Sequence, residues 1–199
     1  MAEWGELPAP WPDVFSLMWE AYLAGTIPVG AVVVDEAEEV VSRARNRIFG
    51  DTRDGHLGGS RLAHAELNAL VALTSERTYE RFTLYTSLEP CHLCLSAAIS
   101  VRIGSLRYAA PDPYAGAVGK LVPSRDHEAH PLEVQGPLSG APGRLPELLH
   151  LAHCFRRVPR GGVASFYGSL KPDLLAAART LPAPDSGATL TDAFAALNR

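Results

Sequence analysis

Residues 82–94 read FTLYTSLEPCHLC, and this stretch decides the architecture. Phe82–Ser87 is a run of aromatic and β-branched residues, the composition of a strand. The region around 91–101 reads as a helix, so Pro-Cys-His-Leu-Cys stands at a join between strand and helix. That join carries Cys91 and Cys94 on one tight turn, a spacing that lets two thiolates reach a single metal ion. The start of a helix also favours thiolate over thiol.

Upstream, residues 61–70 read RLAHAELNAL. Without His64 and Glu66 this opens an apolar helix over 62–73, built on Leu62, Leu67, Leu70 and Val71. A histidine and a carboxylate are poor core residues unless something is there to bind them. In mid-helix, side chains two positions apart point to nearly opposite sides, so His64 and Glu66 converge only at the first turn. The loop GDTRDGHLGGS, residues 50–60, ends just before Arg61 and puts them there.

Further out, residues 11–24 place apolar side chains at helical spacing, with Pro12 and Asp13 in the first turn and Gly25 at the end. Val29–Val34 and Glu39–Arg45 read as two strands joined by an acidic hairpin turn, DEAE. Ser105–Ala109 reads as a strand, Leu132–Gln135 as a last strand, and Pro146–Arg156 as a last helix. This alternation predicts an α/β layered fold, its sheet beginning in a hairpin and continuing through crossovers. Past Arg160 the composition shifts: GGVASFYGSLKPD is loop-like, and LLAAART and TDAFAAL are short helical segments. The expected organisation is a domain over 1–157 and an extension over 158–199, either short helices packed on the domain or partly disordered.

The chain has 199 residues, enough for one domain with a real core, and its 47% hydrophobic and 20% charged residues are those of a soluble globular protein. The start MAEWGELPAPW lacks a basic region followed by an apolar run, so no secretory signal is expected, and no apolar stretch is long enough to cross a bilayer. A net charge of −4 gives no general footprint for nucleic acid. Three cysteines, two of them three residues apart, fit thiols kept for a metal or for chemistry in a reducing compartment, which reads as cytoplasmic.

His64, Cys91 and Cys94 together offer one nitrogen and two sulfurs. Three protein ligands leave a tetrahedral zinc ion with one open position, the mark of a catalytic site, and zinc brings the pKa of its water to about 7. Two thiolates cancel the ion's formal charge, which leaves Glu66 free to shuttle protons. Two other readings stand beside this one: a structural zinc with Cys154 or His153 as fourth ligand, and a redox pair of Cys91 and Cys94, which leaves His64 and Glu66 without a role.

The paired pattern H-x-E…P-C-x-x-C is the signature of zinc nucleobase deaminases, and the chain resembles the cytidine deaminase superfamily. The likeness is strongest to the branch holding bacterial tRNA adenosine deaminases, guanine deaminases and fungal cytosine deaminase. It is carried by IPVGAVVV (27–34), ARNR (44–47), LAHAELNAL (62–70), TLYTSLEPCHLC (83–94) and RIGSLRYAAPDPYAGAVG (102–119), and covers residues 13–157. The resemblance implies a three-layer α/β/α sandwich around a five-stranded mixed sheet and hydrolytic deamination of an aminated base. It matches His64, Cys91 and Cys94 to the zinc ligands and Glu66 to the proton shuttle. Asn46 matches an asparagine that contacts base or sugar, and the backbone N–H groups of Ala65 and Cys91 lie where the family binds substrate or zinc-water atoms. It also implies a homodimer, for which LSAAISV (95–101) is a candidate contact.

Blander readings accompany several residues. Cys154 reads as a small buried hydrophobe, His92 as a surface position at a helix start, and RDHEAH (125–130) as a solvated loop. Phe166 and Tyr167 read as packing of the tail, with a stacking lid as the alternative. The cluster Arg156, Arg157 and Arg160 is the one local exception to an acidic chain. An enzyme acting on tRNA needs phosphate contacts, so the expected substrate is a free base, nucleoside or related small heterocycle. The alternatives are tRNA adenosine-to-inosine deamination and, from another class, a non-catalytic zinc-binding partner protein, which the presence of Glu66 and all three ligands disfavours.

Overall fold

The computed structural model describes residues 4–52, 55–122, 124–181 and 183–197. The chain's first three residues, Arg53 and Asp54 of the expected loop, and the end of the last helical segment at Asn198 and Arg199 lie outside the described residues.

A helix α1 (Trp11–Leu23) leads into a hairpin of β1 (Gly30–Val34) and β2 (Val40–Arg45). Asp35 closes the hairpin turn, its Oδ1 accepting from the N–H groups of Ala37 and Glu39. Then follow α2 (Ala65–Val71), β3 (Thr83–Leu88), α3 (His92–Ser100), β4 (Ser105–Ala110), α4 (Arg125–Ala129), β5 (Glu133–Gln135) and α5 (Gly140–Arg157). Three more helices complete the chain: α6 (Gly162–Leu170), α7 (Pro172–Thr180) and α8 (Leu190–Ala196). The strands form one mixed sheet in the order β2-β1-β3-β4-β5, with β1 antiparallel to both neighbours and β3, β4 and β5 parallel. All five residues of β1 are buried, as in a strand covered on both faces.

Alternate residues feed two cores. Val32, Val34, Tyr85 and Ala109 face α1 and α5, whereas Ala31, Val33, Leu84, Leu106 and Ala110 pack with the residues of α2 and α3. This is the α/β/α sandwich around a five-stranded mixed sheet. Gly30 fits where β1 meets α1, since a Cβ there would lie 2.3 Å from the Val14 carbonyl oxygen.

Several elements differ from the sequence reading. Helix α2 is shorter, and Leu62 and Val71 are 52% and 54% exposed because Ala65, Ala69 and Leu70 are the residues that join the core on this face of the sheet. Helix α5 begins at Gly140 rather than Pro146: Pro142 falls in the first turn, where no N–H is needed, and the helix continues through Pro146. RDHEAH is a short exposed helix, α4, with Ser124 accepting the His127 N–H at its start. The glycine-rich stretch read as loop folds as α6, burying Ala164 and Tyr167 on one side. Residues of α6, α7 and α8, among them Tyr167, Leu175 and Phe194, join the core under α1 and α5. Most of the apolar LSAAISV surface is turned inward, with Leu95, Ala98 and Ile99 buried within this chain.

Candidate metal centre and reaction pocket

Two helix starts build the metal cluster. His64 precedes the first residue of α2 with extended backbone (φ −69°, ψ 154°), and Cys91 does the same before α3 (φ −73°, ψ 172°). An extended residue at a helix entrance directs its side chain differently from one inside the helix, which is how His64 and Glu66 converge despite their spacing. Cys94 follows one turn later, fully buried.

The ligand atoms of His64, Cys91 and Cys94 all lie within 4.8 Å of one another, and among the described residues no other cluster of this kind occurs. The two Sγ atoms are 3.7 Å apart, and His64 Nδ1 lies 3.7 Å from Cys91 Sγ and 3.3 Å from Cys94 Sγ. A tetrahedral zinc with ordinary Zn–S and Zn–N bonds needs edges of about 3.8 Å between sulfurs and about 3.6 Å between sulfur and nitrogen. The donor set therefore fits zinc in both chemistry and size.

The electrostatics point the same way. A hydrogen bond from the Cys94 thiol holds Cys91 well below the usual thiol range, with His64 adding to the effect. That same bond and burial push Cys94 well up. One proton thus stays between two sulfurs in the absence of a cation, and a zinc ion would displace it. The hydrogen bond with Cys91 raises His64, against burial. Glu66 is 4% exposed, and burial pushes its carboxyl up. Thr86 Oγ1 donates to Glu66 Oε1 at 3.1 Å, while Oε2 lies 3.5 Å from Cys94 Sγ.

A cavity of about 260 Å³ opens beside this cluster at the carboxyl ends of β3 and β4, the position favoured for ligands in open α/β sheets. His64, Glu66 and Cys91 form one side, and His150 and Cys154 of α5 with Val163 of α6 form the other. Asn46, 2% exposed, also lines it. Its Oδ1 accepts from Thr26 Oγ1 at 2.7 Å and from the Ile48 N–H at 3.0 Å, so its amide nitrogen is the group left for a ligand. The loop after β4 is held by carboxylates: Glu89 accepts the N–H groups of Asp112 and Val118, and Asp112 Oδ1 accepts those of Tyr114 and Ala115. Gly116 sits where a Cβ would be 2.3 Å from the Glu89 carboxyl carbon.

An outer cleft shares Ile27, Tyr114, Cys154 and Val163 with this cavity and reaches Phe49 and Arg157. The Arg157 guanidinium lies 3.4 Å from the Phe49 ring centroid, and the His153 ring stacks on Phe49 at 6.1 Å.

The structure thus brings His64, Glu66, Cys91 and Asn46 into the wall of one cavity, with the buried Cys94 completing the cluster of His64 and Cys91. Ala65 is fully buried and adds no side chain to the wall; its N–H is one of the first-turn donors that a helix leaves without an intrahelical acceptor. Cys154 lines the pocket instead of filling a core position, and neither it nor His153 joins the metal cluster. His92 is exposed. Tyr167 is buried, and Phe166 packs edge-on against Tyr114 at 5.6 Å, on the pocket's rim. Arg156 is bound to Tyr22 Oη and the Leu181 carbonyl, tying α5 to α1 and the tail. Sequence reasoning missed His150, Asp112 and Glu89; for His150 the available signal was its spacing of four from Cys154 on one helix.

Residues 13–110 match the family model of the cytidine and deoxycytidylate deaminase zinc-binding region. The chain is 37% identical over 110 residues to the tRNA(Ile)-lysidine synthase of Deinococcus deserti, a match covering 54% of this chain and 19% of that protein. It is 33% identical over 125 residues to a probable cytosine deaminase of Schizosaccharomyces pombe, covering 57% of this chain and 72% of the relative. A structure from work on A-to-I editing by tRNA:A34 deaminases at the wobble position of transfer RNA superposes with a TM-score of 0.50 at 28% identity, covering 63% of this chain and 89% of that one. The chain thus spans about a fifth of the lysidine synthase's length and about three quarters of the cytosine deaminase's.

Proposed function

Since the chain belongs to the family of cytidine and deoxycytidylate deaminases with their zinc-binding region, we propose that it hydrolyses the amino group from a free base, nucleoside or related small heterocycle, releasing ammonia. His64, Cys91 and Cys94 would hold a zinc ion, which when bound would acidify water and so supply a nucleophile at neutral pH. Glu66 takes the proton of the attacking water on its carboxylate, then returns protons to the ring nitrogen and the departing amine. Its burial raises its carboxyl pKa, which suits a group that must carry a proton in mid-reaction. Thr86 holds Oε1 in place. The Asn46 amide and the Ala65 N–H orient the base.

The observation that carries the reading is the cavity of about 260 Å³ with Glu66 and two zinc ligands in its wall. Its size suits one base, and α5 and α6 close its far side. The arginine cluster is largely engaged within the chain, Arg156 by Tyr22 and Leu181 and Arg157 by Phe49. In this reading residues 158–199 are an extension to the 1–157 domain, and Val163 of that extension lines the pocket. A cytoplasmic homodimer is part of this proposal, and the exposed apolar Leu62, Val71 and Leu93 offer it surface beside α2 and α3. No helix among the described residues is long and apolar enough to cross a membrane.

The second reading, deamination of adenosine in tRNA, is favoured by the likeness to a structure from work on tRNA:A34 deaminases. Ammonia release by zinc-loaded protein separates the two, measured against cytosine, adenine, guanine, their nucleosides and an adenosine-containing anticodon stem-loop. Release from a small compound is the expected result; release from the stem-loop alone overturns the small-substrate reading.

A further inference from the structure

The pocket's polar groups divide by what they are free to do. Both oxygens of Glu89 and Oδ1 of Asp112 are spent on the N–H groups of the loop after β4. The Asn46 oxygen is spent on Thr26 and Ile48. His64 and Cys91 belong to the metal cluster and Glu66 to the proton transfers. Among the described lining residues, Tyr114 packs on Phe166 at the rim and Cys154 is hydrogen-bonded to His150, which leaves His150 as the buried polar ring that the chemistry does not use. It comes from α5, on the face of the sheet opposite α2 and α3, so a flat ring bound against Glu66 meets His150 from the other side.

His150 is 8% exposed, and the charges around it are unbalanced in its favour. Burial alone would push its pKa down, but the hydrogen-bonded Cys154 and the carboxylates of Asp112 and Glu147 hold it up at about 9. Glu147 in turn is paired with Lys171 at 2.7 Å. A protonated imidazole only donates. With the Asn46 amide nitrogen, it gives the pocket wall two donors.

We propose that His150 is a specificity-determining residue: it donates a hydrogen bond to a ring carbonyl oxygen of the substrate, so the preferred substrates are aminated bases that also carry an oxo group. This rests on the deaminase reading above and narrows its substrate class. Adenine and other bases lacking a ring carbonyl leave the buried donor without its oxygen partner, and sites of this kind reject such analogues.

The test uses pairs that differ by one oxygen: cytosine with 4-aminopyrimidine, and guanine with 2-aminopurine. Intrinsic reactivity differs within each pair, so the reading is the change in the kcat/KM ratio between wild type and variants, which cancels it. His150→Phe removes the donor and keeps a ring; His150→Leu does the same should the first fail to fold; His150→Gln restores a donor. Either donor-less variant is expected to lower the oxo-to-desoxo ratio by about tenfold to a hundredfold, chiefly through the oxo member, with Gln recovering part of it. Calorimetric titration of the same pairs into zinc-loaded wild-type and Glu66→Gln protein, each with and without the His150 change, reads binding directly. If no compound releases ammonia but oxo members bind better and lose that advantage without His150, the deaminase reading falls and this one stands. A ratio unchanged by the donor-less variants, an equal loss for both members, or wild-type binding that is equal or absent overturns it.

Discussion

Across the carboxyl ends of β3 and β4, the α2–α3 wall of the pocket faces the α5–α6 wall, and the two depend on sequence in different ways. On the first, His64, Glu66, Cys91 and Cys94 are set by two helix entrances, so their placement follows from a few local residues. On the second, His150, Cys154 and Val163 arrive by packing, on helices anchored to α1 and to the tail by Tyr167, Leu175 and Phe194. One wall is chemically demanding and locally encoded; the other is shaped by a distant core. Changes on the first should therefore abolish chemistry at modest structural cost, and changes under the second should cost stability first.

The largest separation is expected from Cys91→Ser. It removes one of the three proposed ligands, so zinc content by atomic absorption and ammonia release should both fall to background, and chelation of the wild type should reproduce the loss. Full activity in the variant would show that the thiolates do not hold the working metal. On the opposite side, Phe194→Ala removes a buried ring that packs on Phe15 at 5.5 Å. Its expected cost is about 3–5 kcal/mol by denaturant unfolding, with zinc content retained in the folded fraction. An unaltered midpoint would mean that the last helix contributes nothing to the core beneath the pocket.

A finer contrast lies within α5, where two neighbouring histidines are driven in opposite directions. Held at about 9, well above the ordinary 6.5, His150 favours the fold in its protonated form. Its stabilisation is complete below pH 6.5 and fades as pH rises through 9. Burial, the charge on His150, and then Arg157 and Arg156 push His153 down to about 4, so it favours the fold when neutral. That contribution is present above pH 6.5 and is lost as pH falls through 4. Unfolding measured from pH 4 to 9 should show the penalty of His150→Gln shrinking on the alkaline side and that of His153→Gln shrinking on the acid side. Parallel curves for the two variants would contradict the arrangement.

The same contrast explains what was legible in the sequence. The grouping of His64, Cys91 and Cys94 was readable because Cys-x-x-Cys at a helix start lets two thiolates reach one ion, and the His-x-Glu spacing made sense only at another helix start. The sheet followed from short β-branched runs such as Val29–Val34, and β1 runs over Gly30–Val34. The far wall was hidden by composition. Proline and glycine at 140–146 concealed the start of α5, although Pro142 lies where a helix tolerates it. GGVASFYGSL read as loop because three glycines mask the pairing of Ala164 with Tyr167 on one face. Glu89 and Asp112 escaped notice because their partners are backbone N–H groups of a loop, which no side-chain pattern announces.

The proposed site divides its labour: His64, Cys91 and Cys94 hold zinc, and Glu66 moves the protons. The most direct measurement is ammonia release by Glu66→Gln protein, alongside its zinc content, on whichever compound the wild type turns over best. One zinc per chain is expected in both proteins, with a fall in kcat of about a hundredfold to ten-thousandfold or more in the variant. Unaltered turnover at full zinc occupancy would contradict it.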